Sequence, residues 1–255
     1  MLHYKVIERR GQAEALEVKP ADTYLVCLHG FLESLSMWPA LRLEDYAKLI
    51  LIDLPGHGQS DLQHIDSMQS MAEAVHEVLQ KEAITSYQVI GHSMGGYVAL
   101  ELSQMDDNCK GIIMMNSNVW SDSDLKQEDR KRVAKLVQTK KERFVTEAIP
   151  NLFQTPEKHP NEVERLVQEA IQMSAEAIGR ASIAMSQRRD FSEEVFSGSL
   201  QITVIQGEND PIAPKDRMEQ LLQNQLENFH VVSSGHMAHL EATAHVKYII
   251  QKILG

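Results

Sequence analysis

The pentapeptide Gly91-His92-Ser93-Met94-Gly95 is a G-x-S-x-G pattern. It lies between an apolar run, Tyr87 to Ile90, and a segment of helical spacing that includes Tyr97 to Leu100. At a strand-to-helix turn, a serine so placed takes a strained backbone and points its hydroxyl out of the sheet edge. Small residues on either side let strand and helix approach, and the helix N-terminus behind it favours negative charge. The chemistry this could do is nucleophilic attack. A serine hydroxyl is a weak nucleophile at neutral pH, so it needs a base within hydrogen-bond reach, and that base needs an orienting acid.

The chain has 11 histidines to sort. His236 lies in Ser233-Ser-Gly-His-Met-Ala-His-Leu-Glu241, just after the last apolar strand-like run, where a Ser/Gly loop would deliver an imidazole to the C-terminal edge of a sheet. His239, three residues on, is the alternative base. The acid should come from a loop on the same edge. Gln206-Gly-Glu-Asn-Asp-Pro211 follows the run Ile202 to Ile205, and Asp210 before a proline is biased to an extended or turn conformation. Glu208 is the second choice. The loop after Met115 offers Asn116, Ser117 and Asn118, with Asp122 further on, and amides cannot stabilise an imidazolium as a carboxylate does. The order Ser93, Asp210, His236 differs from the orders of the chymotrypsin and subtilisin triads. A tetrahedral intermediate also needs backbone donors. The amide of Met94 is one. The amide of Phe31, in the loop His29-Gly-Phe-Leu32, is the other, with the Phe31 ring lining an acyl pocket. His29 reads as a pin for that loop; it is also a candidate for the pocket wall, with Trp38 and Tyr97.

Other polar clusters carry less. Asp53-Leu-Pro-Gly-His-Gly-Gln-Ser60 reads as a turn shaping the rim, too sparse for a metal or phosphate site. His92 reads as a packing residue. Arg180, Arg188 and Arg189 could hold an anionic group or simply be solvated. There is no H-E-x-x-H, Walker or G-x-G-x-x-G pattern, so no metal and no organic cofactor are expected.

These residues need a scaffold, and the hydropathy pattern supplies one. Leu2 to Ile7 and Ala13 to Val18 alternate around Arg10-Gly11 as a half-exposed hairpin would. Short apolar runs with little alternation follow: Tyr24 to Leu28, Leu49 to Ile52, Tyr87 to Ile90, Gly111 to Met115, Ile202 to Ile205 and Phe229 to Val232. Such runs suit strands buried on both faces of a parallel sheet. Helical spacing over Met68 to Leu79 and Leu240 to Leu254 completes an alternating β/α order. Between Met115 and Gln201 no strand is expected. Val133 to Val145 suggests one helix and Val163 to Met185 a longer one or two in sequence, punctuated by Pro150, Pro156 and Pro160. This reads as a helical cap over 120–199, inserted in a core of 1–119 and 200–255.

The 255 residues suit one such domain. A formal charge of −11 makes nucleic acid an unfavourable partner. Two cysteines, Cys27 and Cys109, imply no disulfide framework. With no signal-like or membrane-spanning stretch, a cytoplasmic protein without membrane partners is the expectation. Oligomeric state is not encoded in a readable way.

Five ordered segments together resemble the α/β-hydrolase superfamily: His29-Gly-Phe, Asp53 to Ser60, Gly91 to Gly96, Gly207 to Pro211 and Gly235-His236. The resemblance implies an eight-stranded, mostly parallel sheet, a helical cap after the sixth strand, and a Ser-Asp-His triad on Ser93, Asp210 and His236. Phe31 and Met94 fall on its oxyanion positions. His29-Gly-Phe-Leu and Trp38 resemble the menaquinone-pathway synthase branch, which carries an arginine where this chain has Tyr97. Ser93-Met-Gly-Gly is also similar to cofactor-free haloperoxidases and esterases. The expected activity is hydrolysis of a small carboxylic ester or thioester through an acyl-enzyme. Its alternatives are C–C bond hydrolysis, a synthase-type elimination, perhydrolase chemistry, or a hydrolase-fold receptor without turnover.

Overall fold

The computed structural model describes residues 1–10 and 24–255. The strand expected over 13–18, and with it the hairpin, falls outside the described residues. Among those described, seven strands form one sheet: β1 (Tyr4–Ile7), β2 (Tyr24–Leu28), β3 (Lys48–Ile52), β4 (Tyr87–His92), β5 (Cys109–Met115), β6 (Thr203–Gly207) and β7 (Phe229–Val232). Their order is β1-β3-β2-β4-β5-β6-β7. β1 pairs antiparallel with β3; all other pairs are parallel.

The near-continuous hydrophobicity of the inner strands follows from burial on two faces. Side chains alternate across a strand, and in β2 Val26 and Leu28 enter one core while Leu25 and Cys27 enter the other. The first core packs against α1 (Met68–Lys81) and α2 (Met94–Met105). The second packs against a 3-10 segment, Leu35–Leu41, and the C-terminal helix α9 (Thr243–Leu254). Helix α1 starts at a reciprocal cap, in which the Ser67 hydroxyl accepts from the Ser70 amide and the Ser70 hydroxyl from the Ser67 amide.

Between β5 and β6 lie four α-helices, two short 3-10 turns and no strand: the α-helices are α3 (Asp124–Ala148), α4 (Pro160–Gln172), α5 (Ala175–Ser186) and α6 (Ser192–Ser197). Pro160 starts α4, where its missing N–H costs nothing. The apolar stretch Val163 to Met185 is broken into two helices at Met173-Ser174, whose extended backbone lets the Ser174 hydroxyl cap α5. Helix α3 bends at Lys140 (φ −136°, ψ 35°). These cap helices follow the fifth described strand. Two short helices complete the order, α7 (Lys215–Leu221) and α8 (Ala238–Glu241).

The β4–α2 connection is tight. A Cβ on Gly95 would stand 2.2 Å from the Leu28 carbonyl oxygen of β2, and one on Gly91 would stand 2.3 Å from the Gly95 carbonyl oxygen. Both partners are backbone and cannot yield without moving the sheet. Gly95→Ala is therefore expected to destabilise the fold by about 1–3 kcal/mol, the usual cost of overpacking. Thermal denaturation should show a midpoint several degrees below that of the native chain.

Candidate active site

Four loops leave the C-terminal ends of parallel strands and converge. Ser93 directly follows β4, Gly30-Phe31 follows β2, Asp210 lies in the loop after β6, and His236 lies in the loop after β7. A rim of this kind is where open α/β sheets place their ligands.

Ser93 has φ 48° and ψ −113°, a backbone that L-residues rarely adopt, and its side chain does not cap α2. The half-buried hydroxyl instead lies 2.8 Å from His236 Nε2. On the other side of the ring, Nδ1 is 3.0 and 2.9 Å from the two Asp210 carboxylate oxygens. The three groups thus form one continuous hydrogen-bonded chain. The Ser93 carbonyl is fixed by the Ser117 hydroxyl at 2.7 Å.

Asp210 is buried, and four further donors hold it. The amides of Ile212 and Ala213 reach Oδ1, and the side-chain amides of Asn116 and Gln206 reach Oδ2. Burial works to raise its pKa. The charge and hydrogen bond of His236, the Ala213 amide and Asn116 outweigh it and hold the carboxyl below its usual range. Asn116 also donates to the Gly235 carbonyl at 3.0 Å. Asn116 and Gln206 are the positioning groups that sequence reasoning passed over. The signal for Asn116 is the polar loop directly after β5, which offers an amide donor at the strand end.

The loop bearing His236 is tied to the cap. The His236 amide donates to the Leu152 carbonyl at 2.8 Å. The Glu241 carboxylate accepts from Gly235 through one oxygen and from Gln154 and Thr155 through the other.

The alternative acids and base lie elsewhere. Glu208 is exposed. Asp122 is buried in ion pairs with Arg130 (3.0 Å) and Arg188 (2.6 Å). His239 is buried beside His92. The amides of Phe31 and Met94 have no hydrogen-bond acceptor among the described residues. The Phe31 ring is half-buried, with its edge toward His57.

The three expected pocket residues, His29, Trp38 and Tyr97, are all buried. His29 is fully buried; its Nε2 accepts from the Leu54 amide, so its Nδ1 donates to the Gly30 carbonyl. These two bonds pin the loop, as expected. Trp38 belongs to the core shared with α9, because the 3-10 segment turns the indole against the sheet. Tyr97 is buried, with its hydroxyl accepting from Asn118 and the Arg188 guanidinium 4.3 Å above its ring. The three arginines considered for an anionic group all have carboxylate partners. Arg180 pairs with Asp66 at 2.7 Å, Arg188 with Asp122, and Arg189 with Glu194. Asp53 does build the turn, accepting from the amides of Leu35 and Gln59.

The sheet order, the serine turn and the cap helices define a class, and comparison with known proteins agrees. A family model described as alpha/beta hydrolase fold matches residues 23–243. The chain belongs to the α/β-hydrolase fold family. A curated relative, the 2-succinyl-6-hydroxy-2,4-cyclohexadiene-1-carboxylate synthase of Yersinia pseudotuberculosis serotype O:1b, is 42% identical over 82 residues. That match covers 31% of this chain and 30% of the relative, so the chain aligns with less than a third of its length. Among solved structures, a thermophilic esterase from Thermogutta terrifontis superimposes with a TM-score of 0.87 at 25% identity, over 99% of this chain and 92% of that one. An enol-lactonase from Burkholderia xenovorans LB400 superimposes with a TM-score of 0.84 at 19% identity, over 99% and 96%. Among the described residues, no helix is long and apolar enough to cross a membrane.

Burial disfavours the protonated form of three histidines near the site. Burial lowers the pKa of His29, and pushes those of His57 and His239 down to about 3. In the unfolded chain each would protonate near 6.5. The unfolded state therefore binds more protons as pH falls below that value, and stability drops with it. The slope expected is up to about 1.4 kcal/mol per pH unit for each histidine. Denaturant unfolding between about pH 7 and 4 measures this, and His57→Asn should make the slope shallower.

Proposed function

We propose that this chain is a serine hydrolase acting on a small carboxylic ester or thioester through an acyl-enzyme. The observation that carries the reading is the unbroken chain from the Ser93 hydroxyl through His236 to Asp210. The similarity to an esterase over nearly the whole chain supports it. Residues 120–199 are assigned as the cap over this site, and the remainder as the catalytic core.

His236 Nε2 accepts the Ser93 proton as Oγ attacks the substrate carbonyl. The carbonyl oxygen becomes an oxyanion on the amides of Phe31 and Met94, donors best placed for charge that develops only in the transition state. Asp210 holds the His236 Nδ1–H and stabilises the imidazolium. The imidazolium then returns its proton to the departing alkoxide or thiolate, leaving the acyl group on Ser93. Water, deprotonated by His236, attacks that ester, and collapse of the second tetrahedral intermediate releases the acid and restores Ser93. No step calls on a metal or an organic cofactor.

A second reading is a synthase-type elimination, favoured by the Yersinia relative. Against it stands Tyr97, where that branch carries an arginine, and Arg188 above the Tyr97 ring is already paired with Asp122.

Ser93→Ala is expected to lower ester turnover by roughly 10³-fold or more and to abolish labelling by a fluorophosphonate. Asp210→Asn should cost roughly 10⁴-fold in kcat. A panel of p-nitrophenyl and CoA esters of rising acyl length, with product analysis, checks both. Near-native turnover in Ser93→Ala would remove the nucleophile, and elimination without hydrolysis would establish the second reading.

A further inference from the structure

A buried ion pair lies directly beneath the site. Glu33, four residues after His29, and His92, the residue before the nucleophile, are both almost fully buried, with Glu33 Oε2 2.7 Å from His92 Nδ1. The same oxygen accepts from the Gly30 amide at 2.6 Å. The other nitrogen of His92, Nε2, is 3.0 Å from the backbone carbonyl of His236. Both ring nitrogens therefore face acceptors. A neutral imidazole has one N–H and could serve only one of them; an imidazolium serves both.

We infer that Glu33 and His92 form a positioning clamp in which His92, donating from both ring nitrogens, holds the backbone of the base, His236, in register with the oxyanion loop. The inference rests on the hydrolase reading of Ser93, His236 and Phe31. Three bonds in series link the peptide before the Phe31 amide to the peptide of the base: Gly30 N–H to Glu33, Glu33 to His92, and His92 to the His236 carbonyl. His92 is itself covalently joined to Ser93, so nucleophile, oxyanion donor and base share one rigid support. The packing leaves little slack. A Cβ on Gly30 would lie 2.4 Å from Glu33 Oε2, 2.8 Å from His92 Nδ1 and 3.2 Å from Ser93 Cβ.

Energetics point the same way. Removing two charges from water is expensive, and a buried pair seldom stabilises a fold more than well-packed apolar residues would. Such a pair is better explained by the geometry it enforces. Its two charges cancel, so it grips the base without placing a net charge beside it. The other ionisable groups facing His92 are His239, with ring centroids 5.1 Å apart, His29 on the loop after β2, and His236 and Asp210 on the neighbouring loops. Burial disfavours the charged form of His92, but the Glu33 charge and hydrogen bond, the His236 carbonyl and Asp210 outweigh it and raise its pKa. Glu33 is correspondingly held below the usual carboxylate range, by His92 first and His239 next, against the effect of its burial.

The test uses the full chain and the variants Glu33→Gln, His92→Gln and their double, each checked for folding by thermal melting. In nitrogen-15 spectra of the native chain at about pH 7.5, His92 should show N–H correlations at both ring nitrogens, and Glu33→Gln should remove one. Each single variant should lose about 10- to 100-fold in kcat with KM changed less than about twofold, as expected for misplaced rather than missing groups. The double variant should be no worse than the weaker single, because the chain of bonds is already broken. A single ring N–H in the native chain, losses that multiply in the double, or a rise in KM at unchanged kcat would each overturn the clamp. So would one equivalent of zinc in the purified protein, since Glu33, His92 and His239 lie close enough to ligate a metal, which would displace the proton. If the native chain neither hydrolyses esters nor reacts with a fluorophosphonate, the hydrolase reading fails separately. The ring N–H count and the His236 Nδ1–H resonance then decide the clamp: a shift of that resonance in His92→Gln supports it, and an unchanged one overturns it.

Discussion

A carboxylate stripped of water must be given back its hydrogen bonds, and the rim of this molecule is organised around that demand at Asp210. Five donors from four places satisfy it: two amides of its own loop, Gln206 from β6, Asn116 from the end of β5, and the imidazole of His236 after β7. An unpaired charge at this depth would cost several kcal/mol. Satisfying it draws the β5, β6 and β7 loops together. Once His236 is committed to Asp210 through one nitrogen, its other nitrogen can point only outward, toward Ser93. The strained backbone of that serine is tolerated because the turn is tethered, through its carbonyl by Ser117 and through its glycines by close backbone approach.

Legibility in the sequence followed the range of the interactions. The inner strands were readable because burial on both faces imposes an unbroken apolar run, and α1 because its buried residues recur at helical spacing. The loops that bring Ser93, Asp210 and His236 together were readable because each joins a distinctive polar residue to the end of such a run. Asn116 and Gln206 were not, because an amide's role depends on which long-range partner it meets, and no local pattern records that. The sequence around His92 suggests packing for the same reason: only the fold brings Glu33, 59 residues away, against it.

Side-chain direction was the least readable part. Trp38 and Tyr97 lie close in sequence to groups of the site, and each is turned into the interior by the element that carries it, the 3-10 segment in one case and α2 in the other. The cap shows the same limit. Its helices were visible from their apolar periodicity, whereas the ion pairs of Asp122 with Arg130 and Arg188, and of Arg180 with Asp66, join segments that no spacing rule relates.

The Glu241 carboxylate grips Gly235 with one oxygen and the 154–155 backbone with the other. One carboxylate thus staples the strand-end loop that carries the imidazole to a neighbouring segment more than 80 residues earlier in the chain. The two cannot separate without breaking its bonds, so the position of one fixes the position of the other.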